Sequence, residues 1–315
     1  MIKLKENSAA AEAHFIKIEK PLKQRIKNVL KNGIKKDGNP IAPDTILRGY
    51  LKHLLTGDNL KQLILLKPES IHSTIASMKK YFPDFFNSDS DSSKILYNIF
   101  VASCYDKTDV FSKYDFISGI NIDTCPYCNR NYIYYLSKKN NVKPQIDHFY
   151  PKAKYPFLAM TFYNLIPSCQ TCNGLEVKGE LDPVRKGLIN PYLIENDQFL
   201  FSYKPTSSGI LGSLLDKHSV EVHLKAPQGN IDVFKLQELY NLHTDHVVEL
   251  VIKSKIKYST TYRDYLEKYK EHGLVFSENE IDRMILGNYT NVDEIHKRPF
   301  SKLYVDIGLD LGLIK

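Results

Sequence analysis

Four of the five cysteines in the 315-residue chain fall in two Cys-x-x-Cys pairs, Cys125/Cys128 and Cys169/Cys172. A pair at this spacing presents two thiolates from one tight turn, and two such turns complete the tetrahedral set that zinc favours. All four are spent as ligands, so no coordination position stays open and the ion is structural. The 40 residues between Cys128 and Cys169 exceed the spacer of a simple zinc ribbon, so the ion closes a large loop. Inside that loop lie the dipeptide Asp147-His148 and, further on, Asn164 before a short apolar run; Asn173 follows the last cysteine directly. An isolated Asp-His pair is ordinary surface or core furniture. Set between two zinc pairs and followed by two asparagines, it becomes a candidate catalytic pair.

The elements that must position these residues are short. Gln145 to Tyr150 (QIDHFY) reads as a strand that delivers Asp147 and His148 to its end. Neighbours on a strand point to opposite faces, but twist at the strand end lets both approach one phosphate. Leu165 to Ser168 reads as the partner strand, and Gln170 to about Lys178 as a helix with Cys172 and Asn173 in its first turns. The zinc then staples helix to hairpin and aims Asn173 back at the strand end that carries Asp147.

The order DH, then N, then CxxCN followed by KG resembles the HNH endonuclease family over about sixty residues. The resemblance implies an α+β fold: a small zinc-stapled ββα-metal core embedded in mostly helical flanks. It also implies that His148 is the general base and that Asp147 and Asn173 hold one divalent ion, Mg²⁺ or Mn²⁺. Asn164 matches the family's middle asparagine, which pins the loop between the strands and orients His148. Lys178 matches the KG lysine as a phosphate contact, although four residues separate it from Asn173 where many relatives have two. Lys152 and Lys154 are further candidates for nucleic-acid contact. The wider text, CPYCNRNY, DHFYPK, FYNLIPSC and LYNLHTDHVVEL, resembles long HNH proteins encoded beside an ATPase in bacterial anti-phage systems of the Septu and retron-linked type. That resemblance implies a DNA-cleaving subunit with an ATPase partner. The reading set against it is a zinc-stabilised module that binds nucleic acid or protein without cutting.

The flanks carry no such motif. Residues 1–118 read as helices, notably 8–32, then one N-capped by Asp44, then stretches near 58–66, 70–80 and 93–106, with a serine- and aspartate-rich loop at 86–93. Residues 119–190 form the core. Residues 191–315 begin with strands at 199–203 and 220–224, with turns at 206–212 and 226–229, and continue as helix over 232–269 and 278–286. Residues 1–40 hold ten Lys and Arg against four acidic residues, a basic arm for phosphates or a solvated helix face. Tyr132, Tyr134 and Tyr135 alternate in a β-prone run and read as hairpin packing rather than base stacking. His243 and His246, with Asp245 between them, could suggest a second metal site but read as packing or exposed residues. Cys104 sits in an apolar run and reads as a buried thiol. An apolar content of 43% excludes global disorder. With no apolar run long enough to span a bilayer and no secretory signal, the expected setting is the cytoplasm without membrane contact. Oligomeric state is left open.

Overall fold

The computed structural model describes residues 1–36, 38–136, 143–195, 197–206 and 216–314. They are mostly helical, with three two-stranded antiparallel sheets. The chain groups into two compact units. One, here the N-terminal unit, comprises Lys5–Asn121 and Tyr135–Arg185; the other, the C-terminal unit, comprises Met1–Leu4, Ile122–Tyr134 and Lys186–Lys315. These boundaries cut inside the stretch read from sequence as a single core over 119–190.

The N-terminal unit is built on the helix Ser8–Asn32, which Asn7 caps by accepting from the Ala10 amide at 3.0 Å. Phe15, Ile18, Leu22, Ile26 and Val29 recur every three or four residues and form its buried stripe. The helix stops at Gly33, whose φ is 64° and where a Cβ would meet the Ile41 carbonyl oxygen at 2.3 Å. The chain then forms a small hairpin of β1, Ile34–Lys36, and β2, Asn39–Ile41. Helices Thr45–Leu54, Asn59–Ile64 and Pro68–Tyr81 follow the sequence pattern, with Asp44 capping the first. The serine-rich loop ends at Ser90, which caps the helix Asp91–Tyr97. The helix expected to run on to 106 instead widens into a π-helix over Asn98–Tyr105, closed by the Asp106 amide donating to the Val101 carbonyl at 3.0 Å.

Strand β3, Gln145–His148, pairs antiparallel with β4, Leu165–Ser168, so that Gln145 faces Ser168 and His148 faces Leu165. The helix expected over 170–178 is shorter, ending at Asn173. Gly174 follows, and the chain folds back so that the Lys178 amide donates to the Cys172 carbonyl at 3.2 Å. That turn requires Gly179, at φ 38°, because a Cβ there would lie 2.6 Å from the Leu175 carbonyl oxygen.

In the C-terminal unit β5, Leu200–Pro205, pairs with β6, Val220–Lys225. Most of the turn expected at 206–212 lies outside the described residues. The long helix expected over 232–269 is divided into Gln228–Phe234, Leu236–Asn241, Thr244–Lys255 and Tyr258–Glu267. Lys235 and Lys257 adopt left-handed backbone, φ 50° and 51°, which no helix propagates through. The helix Glu278–Leu286 has the capping box of Ser277 and Glu280 and stops at Gly287. No helix among the described residues is long and apolar enough to cross a membrane.

Candidate active site

The four sulfur atoms of Cys125, Cys128, Cys169 and Cys172 lie within 4.8 Å of one another, and all four residues are buried. Thiolates around one tetrahedral zinc, with Zn–S bonds of about 2.3 Å, sit roughly 3.8 Å apart. The donor set therefore fits a structural metal such as zinc. Backbone amides already point at two of the sulfurs, from Arg130 to Cys128 at 3.4 Å and from Cys172 to Cys169 at 3.5 Å.

Each cysteine pair is followed by an asparagine, and the first of these, Asn129, was missed by the sequence reading. It is fully buried with φ 48°. Its side chain donates to Thr124 Oγ1 at 3.0 Å and accepts from the Lys302 amide at 3.1 Å, locking the turn after Cys128. The repeated CxxCN text was the available signal.

Asp147 and His148 end strand β3, and both are buried, 2% and 7% exposed. His148 Nε2 lies 3.1 Å from the Ala159 carbonyl. A carbonyl only accepts, so Nε2 carries the proton and Nδ1 keeps the lone pair. The ring packs edge-on against Tyr105, with centroids 4.4 Å apart. Burial pushes His148 down to about 3, and the ammonium groups of Lys152, Lys113 and Lys178 add to the effect against the opposing bond to Ala159. The imidazole is neutral at physiological pH.

Asn164 is fully buried and binds the loop after β3 from both sides. Its Oδ1 accepts from the Tyr150 amide at 2.7 Å, while Nδ2 donates to the carbonyls of Tyr150 and Leu158, each at 3.1 Å. Leu158 adjoins Ala159, so the same amide fixes the turn that holds the His148 ring. Asn173 Nδ2 donates to Gln145 Oε1 at 2.9 Å. Asn173 ends the helix after β4 and Asp147 lies on β3, and both carry oxygens of the hard type that Mg²⁺ takes.

The three lysines differ sharply. Lys178 is fully buried, with Nζ 3.6 Å from the Asp147 carboxylate and near the carbonyls of His148 and Leu181 at 3.4 and 3.3 Å. It sits inside the site rather than on a phosphate-facing surface. Lys154 pairs with Asp182, which also accepts from Tyr155 at 3.0 Å. Lys152 pairs with Asp106 at 3.3 Å and lies over the Tyr105 ring.

Other candidates resolve differently. Tyr132 and Tyr134, expected in a hairpin, are each 47% exposed and stack on one another, and only an isolated bridge joins Tyr132 to Thr124. The ligand atoms of His243, Asp245 and His246 lie within 4.8 Å of one another. However, Arg130 Nη2 donates to His243 Nε2 at 2.9 Å, which puts that ring's proton on Nδ1 and a fixed positive charge beside the group. A cation there would have to displace the guanidinium. Cys104 is buried as expected, and burial pushes its thiol up to about 12.

Against known proteins, 47 residues of the chain, 15% of its length, are 45% identical to a Septu protein PtuB from Bacillus thuringiensis. The match spans 18% of that relative's own length. No family model matches the chain. No solved structure matches it.

Proposed function

We propose that the chain is a metal-dependent HNH endonuclease that hydrolyses DNA phosphodiester bonds, acting in bacterial anti-phage defence with an ATPase partner. The observation that carries the reading is the His148 ring, tautomerically fixed by the Ala159 carbonyl at 3.1 Å at the end of a strand whose preceding residue is Asp147. A neutral imidazole with its lone pair on Nδ1 takes a proton from a water molecule as the water's oxygen attacks phosphorus. Asn164 keeps that ring in register by holding the loop on which Ala159 lies. Asp147 and Asn173 would hold the divalent ion, which when bound offsets negative charge on the phosphate and the leaving oxygen. The four-cysteine cluster would hold a structural zinc. The Septu similarity and the neighbouring-ATPase resemblance support the defence role.

A second reading, a zinc-stabilised binding module, draws on one observation: the Lys178 ammonium already neutralises Asp147 at 3.6 Å. The test is cleavage of supercoiled plasmid, linear duplex and single-stranded DNA in Mg²⁺ or Mn²⁺, with and without a co-purified partner, beside His148→Ala. Cleavage that is lost in the variant while bound zinc is retained supports the nuclease. Undiminished cleavage in the variant sinks the role of His148, and no cleavage by the wild type under any of these conditions favours the module.

A further inference from the structure

Two ammonium groups converge on one ring beside His148. Lys113 Nζ lies 4.6 Å and Lys152 Nζ 4.7 Å from the centroid of Tyr105, and the Tyr105 ring is itself 4.4 Å from that of His148. Asp106 offsets Lys152 at 3.3 Å, while Lys113 has no ion pair among the described residues. Burial, then Lys152, hold the Lys113 ammonium below the usual lysine range and Lys143 pushes the same way, with Asp106 opposing them. Like charges gathered this closely oppose one another, and an anion seated among them relieves the repulsion.

Tyr105 reaches this position at the end of the π-helix Asn98–Tyr105. Such widened turns are rare and recur at functional positions. The other end of the same helix, Asn98, lines a cavity of about 370 Å³ together with Lys35, Lys36, Lys94, Tyr97 and Ala153. Ala153 is the residue after Lys152, so the cavity and the paired lysines adjoin on one unit. Three ammonium groups and an aromatic ring in a cavity of this size match a nucleotide, with phosphate for the lysines and a base for the ring.

We propose that Lys113 and Lys152 seat a phosphodiester of a nucleic-acid strand beside His148, and that the Lys35, Lys36, Lys94 and Tyr97 cavity takes an adjoining nucleotide of the same strand. This rests on the nuclease reading for the identity of the ligand. It gives the basic N-terminal arm a specific role, since Lys35 and Lys36, both exposed, belong to it.

The test is equilibrium binding of a short, fluorescently labelled single-stranded DNA to the full chain in EDTA, repeated across a salt series. Replacing Lys113, Lys152 or Lys94 by Gln is expected to reduce the slope of log affinity against log salt by about one each. The affinity at about 0.1 M salt should fall roughly three- to tenfold per lysine by the same counterion release. Lys79→Gln, on an exposed helix face of the same unit, should leave the slope unchanged. The seat is overturned if the wild type does not bind, or if Lys113→Gln and Lys94→Gln keep the wild-type slope. The slope readout separates this proposal from the nuclease reading. Binding with this signature but no cleavage in any divalent ion upholds the seat and removes the nuclease. Cleavage with unchanged slopes in the variants does the reverse.

Discussion

His14 and His148 are buried in the same unit and donate to successive carbonyl groups of one turn, Met160 at 2.9 Å and Ala159 at 3.1 Å. Burial is the largest influence on both, pushing His14 down to about 4 and His148 to about 3. Their surroundings separate them. Three phenylalanines, Phe111, Phe116 and Phe162, surround the His14 ring at 5.6 to 5.7 Å. His148 meets Tyr105 instead and lies in the field of Lys152, Lys113 and Lys178. A buried, hydrogen-bonded histidine is by itself a packing element; a cationic rim beside it is what can bring an anionic substrate to the ring.

The contrast can be tested from both sides. On the proposed nuclease reading the largest expected effect is on catalysis: His148→Ala should lower cleavage by about 10² to 10⁴, the range of general-base contributions. His14→Ala should leave turnover per folded molecule within a few-fold of wild type. Measured rates that fall equally in the two variants would erase the distinction.

Next in size is Lys178→Met. It removes one ammonium from beside a buried carboxylate and should cost up to about 3 to 5 kcal/mol of stability in denaturant melts. Adding Asp147→Asn should restore much of that loss, and failure of the restoration would show that the pair is not the source.

His14→Ala removes a buried ring and should cost about 3 kcal/mol, read as a lower denaturation midpoint, by analogy with aromatic truncations in cores. An effect of similar size concerns acid. The unfolded chain binds a proton on His14 near pH 6.5, but the folded chain does so only near 4. Between those values the unfolded state holds more protons, so the contribution is complete above about 6.5 and is lost as pH falls toward 4, about 3 kcal/mol in all. His14→Phe should make the wild-type pH dependence of stability in that window shallower without abolishing it, because His148 keeps its own contribution there, and an unchanged profile would contradict the assignment.

Parts of this site were legible because they are local. The thiol spacing follows from tight-turn geometry, and β3 and β4 fall where QIDH and LIPS alternate or run apolar. The helices Ser8–Asn32 and Glu278–Leu286 announce themselves by apolar period and by caps at Asn7 and Ser277. The helix after Cys169 was overextended because the backbone state of Gly179, which turns Lys178 back onto Asp147, has no periodic signature. Lys235 and Lys257 misled in the same way, since nothing in a lysine's identity marks a left-handed break.

By itself the sequence determined the inventory of candidate site residues: four paired thiols, an Asp-His dipeptide and the asparagines that follow, each fixed by short-range spacing. Tertiary structure decided which of these groups face a cation, a carbonyl or a ring. His14 meets Met160 across 146 residues, and Tyr105 and Lys113 reach His148 from helices outside the motif. Contacts at such separation are selected by the packing of whole helices rather than by any local pattern. Packing therefore set which histidine became core and which was left beside a cationic surface.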